Sequence, residues 1–374
     1  MSVFHVINDG SLAVFLAALP VMRVALNLSL IEIGTVLSAG LISTVVMQMV
    51  FGFLSDRGFS RYLLLGGFIA LAVVDILFVS AATYWHVLVF YLLLRGAAGV
   101  YHPVAFSTVF RTARNRSAAM GFQSGFGDSS IAFAMFTTGF LAESLGWEMP
   151  FLLWGLAGFA AVLVFIMLGG YARRGMSLSG NVHSLRVQNQ SSTRRYILLQ
   201  FLALFIQCLY LVFTSFMPLF LNVNMQLSAG VSALLVALWI AIGVTFSFSA
   251  GRFVQFLGGE HRTLRICFGL TAIIFLAATA LVLRSEMWIL AISLLVLGGI
   301  PFFLSFPVLY GIVGTAAPEN RLGLAYATNL SISLIGGSIF SYATAYLSSI
   351  FSLAVLFPVL AALALAAFIN MLAL

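Results

Sequence analysis

The chain reads as a succession of apolar runs, each near the length a helix needs to cross a bilayer, separated by short breaks of charge or of Gly, Pro and Asn. A hydrocarbon core of roughly 30 Å takes about 20 helical residues. Cut at those breaks, the pattern predicts twelve spans. The first six cover approximately 2–22, 31–54, 62–82, 86–110, 118–142 and 149–170. The second six cover approximately 196–222, 229–250, 263–283, 288–312, 323–346 and 353–374. Between the two sets lies one long polar stretch, YARRGMSLSGNVHSLRVQNQSSTRR, with five arginines and no acid. The organisation expected is an all-α polytopic membrane protein: an N-terminal six-helix half over 1–170, a basic linker over 171–195, and a C-terminal six-helix half over 196–374.

Composition agrees with lipid as the solvent. Hydrophobic residues make up 62% of the chain and charged residues 7%, against about 25% charged in a soluble domain. The net charge of +7 would suggest nucleic acid in a soluble protein. Here the bases, all arginine, sit in the short breaks and report topology instead. With the N-terminus inside, the inner loops hold Arg57, Arg61, Arg111, Arg114, Arg116, Arg173, Arg174, Arg186, Arg194, Arg195, Arg252, Arg262, Arg265 and Arg321. The outer loops hold only Arg23 and Arg284. This follows the positive-inside rule and puts both termini in the cytoplasm. The linker's charge favours the anionic inner leaflet. Cys208 and Cys267 lie within apolar runs and read as packed thiols. The first run carries His5 and Asp9, which the core of a cleavable signal would not.

Ionisable groups inside spans cost roughly 2.5–3.5 kcal/mol at a helix centre and mark candidate chemistry. In the first span His5, Asn8 and Asp9 fall at i, i+3 and i+4, on one helical face. In the fourth, Arg95, Gly99 and His102 share a face at i, i+4 and i+7. At a rise of 1.5 Å per residue, Asp9, Arg95 and Asp128 all reach the middle third of the membrane. Two readings follow. Arg95 neutralises Asp9 or Asp128 and holds the helices in register, or the three line a cavity where a carboxylate exchanges its arginine for a proton. Pro103 leaves the Gly99 carbonyl without its helical bond, so His102 either caps that broken turn or meets solute and protons there. His5, near the membrane surface, reads as the weaker candidate and open to solvent. Asp75, deep in the third span, reads as an interhelical hydrogen bond or a carboxyl protonated in place. The second half offers Gln207, Tyr210 and Asn329, with Pro301 and Pro307 as helix breakers, and a minority of the 36 phenylalanines as an apolar wall. Such a cavity suits an amphiphilic solute.

Several motifs carry a resemblance. His102-Pro103-Val104 followed by Arg116 is echoed by Phe306-Pro307-Val308 followed by Arg321, as if the halves were repeats. Gly52-Phe53-Leu54-Ser55-Asp56-Arg57, continuing to Arg61, resembles the G-x-L-x-D-R…R signature of the major facilitator superfamily. Its counterpart, Gly251-Arg252-Phe253-Val254-Gln255, has Gln in place of the acid. More narrowly, FHVINDGSLAVFLAALP, LSLIEIG and LLRGAAGVYHPVAFSTV are similar to stretches of the fosmidomycin-resistance family. The resemblance implies two six-helix halves rocking about a central cavity, with spans one, two, four and five facing it. It implies a gating loop of Gly52, Asp56, Arg57 and Arg61, with Asp56 docked near Leu322 at the start of span eleven. It also implies a proton-coupled exporter of small organic solutes in a prokaryotic plasma membrane. GFQSGFGDSS in span five lacks the proline of the Gly-Pro-x-x-Gly-Gly stretch common in such exporters.

The expected pathway residues are His5, Asn8, Asp9, Arg95, His102, Asp128, Gln207 and Asn329. The expected partners are a small-molecule solute, protons and the lipid bilayer, with no nucleic acid and the protein a monomer. No P-loop, HExxH or Cys/His cluster is present, so neither cofactor nor metal is expected. The rivals are a metabolite importer or uniporter and, from another class, an intramembrane enzyme using His5/Asp9 or His102/Asp128 as acid and base.

Overall fold

A computed structural model describes residues 2–112, 116–167, 193–282, 284, 287–316 and 322–374. Most of the linker, and Arg111's successors Arg114 and Arg321, therefore fall in or beside stretches outside the described residues. The first half contains α1 (Ser2–Ala25), α2 (Leu30–Leu54), α3 (Ser60–Phe78), α4 (Tyr84–Ala98), α5 (Tyr101–Thr112), α6 (Arg116–Leu145) and α7 (Glu148–Met167). The second contains α8 (Thr193–Val223), α9 (Ala229–Ser247), α10 (Ala250–Leu257), α11 (Glu260–Val282), α12 (Trp288–Ala316), α13 (Leu322–Ile350) and α14 (Leu356–Ala373). Helices α4 and α5 are the two parts of one span, and α10 is a short helix following α9. That leaves the twelve spans expected from the sequence.

Apolar residues on all sides make these segments membrane helices, and polar residues set their ends. Ser29 caps α2 reciprocally with Glu32: its hydroxyl accepts from the Glu32 amide at 3.2 Å, and its own amide donates to the Glu32 carboxylate at 2.8 Å. Thr83 and Ser228 cap α4 and α9 in the simpler way. Between α2 and α3 the chain makes a tight π-helical turn, Ser55–Phe59, in which Gly58 takes a φ of 92°. Large side chains such as Leu163, Ile273 and Ile339 point outward, as lipid contact requires.

The expectation that Pro301 and Pro307 break their span is not met: α12 runs through both. Neighbouring helices hold a membrane helix together across a proline, and Gly299 lies close against the Trp239 backbone of α9. Span four, by contrast, does break. It turns at Gly99–Val100, as the missing amide of Pro103 predicts, and resumes at Tyr101.

Helices α3 and α7 pack within the first half, and α11 and α14 within the second. The halves meet along two seams, α2 with α13 and α6 with α9. Small residues bring these backbones together. A Cβ on Gly34 would sit 2.3 Å from the Ala345 Cβ, and one on Gly139 would sit 2.6 Å from that of Ala233. Polar links lie along both seams. Ser38 and Ser338 hydroxyls are 2.6 Å apart, Gln48 donates to Ser331 at 2.8 Å, and the Glu143 carboxylate accepts from the Gly230 amide at 2.9 Å. The cavity sits between the seams.

Candidate functional site

Eight helices contribute to this cavity: α1, α2, α4, α5 and α6 come from one half, and α8, α12 and α13 face them from the other. Its first-half wall is charged and polar. Asp9 is the hub. Asn8 Nδ2 donates to its Oδ1 at 2.9 Å, His5 Nε2 lies 3.0 Å from Oδ2, and His102 Nε2 lies 3.4 Å from Oδ1.

The other nitrogen of His5 fixes the proton arithmetic. His5 Nδ1 lies 2.7 Å from the Gln123 carbonyl, which can only accept, so Nδ1 carries the hydrogen. A hydrogen bond between Nε2 and the Asp9 carboxyl then needs a second proton, held by one group or the other. His5 is buried rather than near solvent as its sequence position suggests. Tyr101 stacks beside it with ring centroids 4.7 Å apart, and Gln123 Nε2 donates to the Tyr101 hydroxyl. Gly127 of α6 makes the close approach: a Cβ there would stand 2.3 Å from His5 Nε2 and 2.8 Å from Asp9 Oδ2.

His102 arrives at Asp9 because the chain turns at Gly99–Val100 and re-aims α5. Its Nδ1 has no hydrogen-bond partner among the described residues. The ligating atoms of His5, Asp9 and His102 all lie within 4.8 Å of one another, a donor set whose size would also admit a divalent ion.

The expected pairing of Arg95 with Asp9 or Asp128 is absent. Arg95 is 7% exposed and lines the cavity, yet no acid among the described residues lies within 4.0 Å of it. Its Nε has no hydrogen-bond partner among the described residues. What the structure holds firmly is the residue's backbone and stem: Thr44 donates to the Arg95 carbonyl at 2.9 Å, and Gly40 lets α2 lie against Tyr91 and the Arg95 side chain. Asp128 lines the same cavity from α6 and forms no ion pair with a described residue.

The second-half wall is aromatic and apolar. Tyr210, Phe306 and Tyr310 face the cavity with Leu330 and Leu334. Phe306 and Tyr310 stack at 6.0 Å, and Tyr210 meets Phe306 edge-on at 6.2 Å. Gln207 lines the cavity as expected. Asn329 does not: it is buried between α13 and α8, donating to Gln200 Oε1 at 2.7 Å. Asp75 also lies away from the cavity, fully buried, accepting from Ser11 at 2.7 Å. That is the interhelical bond expected of it. Thr44, Gln48 and Gln123 were missed. Thr44 and Gln48 stand at i and i+4 in an otherwise apolar stretch of α2, a polar pair on one face that would have found them.

At one end of the bundle the Ser55–Phe59 turn, with Asp56, packs against α13. Gly52 is buried beneath it, the Arg57 guanidinium lies 4.1 Å over the Phe53 ring, and Arg61 is half-buried.

A twelve-span α-helical bundle enclosing a cavity, one wall charged and the other aromatic, at the junction of its two sets of helices is the architecture of a membrane transporter. The Major Facilitator Superfamily model matches residues 1–341; the chain belongs to that superfamily and is a secondary transporter that binds a small-molecule solute within the membrane. Among solved structures, the nucleoside transporter NupG superposes with a TM-score of 0.70 at 13% identity, covering 100% of this chain and 97% of that one. A bacterial homolog of the human lysosomal transporter Spinster, in an inward-facing and occupied conformation, gives 0.71 at 16% identity, covering 100% of this chain and 91% of the other. No curated protein matches the sequence.

Proposed function

We propose that the protein is a proton-coupled exporter of small organic solutes that works by alternating access, its halves 1–170 and 196–374 rocking about the cavity. The observation that carries this reading is the Asp9 carboxyl held between His5 and His102 beside the cavity. A proton shared within that trio sits next to the solute, so its gain or loss changes the charge the solute meets. His102 rides on a different helix from His5 and Asp9, so movement between α1 and α5 changes how firmly the proton is held. Asp128, Asn8 and Gln207 complete the polar lining, and Asp56 steadies one state from the Ser55–Phe59 turn, which packs against α13. The motifs similar to the fosmidomycin-resistance family favour export from a prokaryotic cell, with both termini cytoplasmic and the protein monomeric.

The test is purified protein in liposomes under an imposed pH gradient, screened with a panel of solutes. Solute-dependent proton flux in the antiport sense is expected. Solute movement with no proton flux under any gradient would refute the coupling, and flux in the same direction as solute would make the protein an importer.

A further inference from the structure

We propose that the solute is an organic anion whose charged group, a carboxylate or phosphoryl-type oxyanion, binds the Arg95 guanidinium, and whose apolar or aromatic body lies against Tyr210, Phe306 and Tyr310. This deepens the transport reading above and rests on it.

Arg95 carries a buried charge with no counter-ion in contact among the described residues. Burying a cation costs several kcal/mol unless a counter-charge or hydrogen bonds compensate. Arg95 is 93% removed from solvent, with no carboxylate within 4.0 Å among the described residues and an Nε that bonds nothing. The obvious counter-ion is committed elsewhere. Asp9 already has Asn8, His5 and His102 in contact with its two oxygens. Asp128, on the same cavity wall, does not reach Arg95 either. A guanidinium is a planar fork of five donors that matches two oxygens of a carboxylate or phosphoryl group. Held at its stem by Gly40 and Thr44 and open at its head to the cavity, Arg95 is pre-organised for such a group.

The opposite wall supplies the rest of the recognition. Tyr210, Phe306 and Tyr310 form a continuous aromatic face in mutual ring contact, and aromatic faces favour flat apolar bodies. A solute with its anion on the first half and its body on the second touches both halves at once. A cationic solute of the same shape would face Arg95 directly, with Asp9 already in contact with Asn8 and two histidines.

The experiment uses the full-length protein in detergent with four probes of one shape: benzoate, phenyl phosphate, neutral benzamide and cationic benzyltrimethylammonium. Binding is read by thermal stabilisation and by titration calorimetry. The wild type is expected to bind at least one of the two anions about tenfold or more tightly than benzamide, with no binding of the cation. Arg95→Gln should abolish that preference while Arg95→Lys retains part of it, because Lys keeps the charge but loses the fork. Tyr310→Leu should weaken both anion and amide without changing their ratio. Equal affinity of wild type for anions and benzamide, or a preference for the cation, would overturn the proposal whatever the fate of the Arg95 variants. Failure here is separable from failure of the transport reading: solute-dependent proton flux with a cationic or neutral solute would leave the transporter intact and remove the anion.

Discussion

Gly127→Ala is the most informative single change, because it adds one methyl group and no charge. The new Cβ would stand 2.3 Å from His5 Nε2 and 2.8 Å from Asp9 Oδ2, so the imidazole must retreat by about an ångström to reach ordinary contact. It is confined behind by the Gln123 carbonyl and the Tyr101 ring. The present Nε2–Oδ2 separation of 3.0 Å leaves little slack, and the shared proton loses its short path. Two opposing effects bear on stability. Replacing a helical glycine by alanine gains about 0.5–1 kcal/mol, whereas overpacking costs about 1–3 kcal/mol. Gly66→Ala is the control, since nothing lies within 4 Å of a Cβ there, and it should show the gain alone. The Gly127 variant should therefore unfold at lower temperature than the Gly66 variant. Losing a hydrogen bond to a charged group, about 1.5–3 kcal/mol, should cut solute-driven proton flux in proteoliposomes about tenfold or more. Equal melting temperatures together with wild-type flux in both variants would show that the His5–Asp9 contact does not carry the proton.

Three further outcomes are expected. Asp9→Asn should keep solute counterflow but lose pH-driven accumulation, and Asp128→Asn should lose less of it; full accumulation in both variants, at matched expression, would reduce these residues to structural roles. Ser11→Ala strips Asp75 of its one hydrogen bond in a fully buried site and should destabilise the protein by about 1–3 kcal/mol, read as a lower melting temperature with solute specificity unchanged. Asp56→Asn should slow turnover more than it weakens solute binding, because it loosens the contact of the Ser55–Phe59 turn with α13; an unchanged exchange rate would remove Asp56 from gating.

The spans were legible because a bilayer imposes one length and one solvent on every helix, and the run boundaries at Leu30, Ala229 and Trp288 lie within a residue or two of those expected. The break in span four was legible for a covalent reason, the missing amide of Pro103. Pro301 and Pro307 carry the same local signal and give no break, because the close seat of Gly299 on Trp239 is tertiary information. The site was half legible. Helical spacing put His5, Asn8 and Asp9 on one face and depth brought Arg95 and Asp128 to their level. Partner choice depends on which helix leans on which. Opposite charges at one depth suggested an Arg95–Asp9 pair, yet the re-aimed α5 delivers His102 to Asp9 instead. Asn329 looked like a pathway group and is a buried hydrogen-bonding contact with Gln200, since nothing in one helix says which of its faces meets the cavity.

The turn at Gly99–Val100 divides a single span into two levers. Arg95 belongs to the upper one, anchored to α2 through Thr44, while His102 belongs to the lower one, which packs on α13 of the other half. On the proposed rocking of the halves, a separation at that end would pull α5 along with α13 or strip it away, and in either case the 3.4 Å gap between His102 and Asp9 would register the motion while Arg95 stayed with the first half. On that proposal the span would work as a strain gauge, with its sensing arm on one side of a proline-induced joint and its fixed mount on the other.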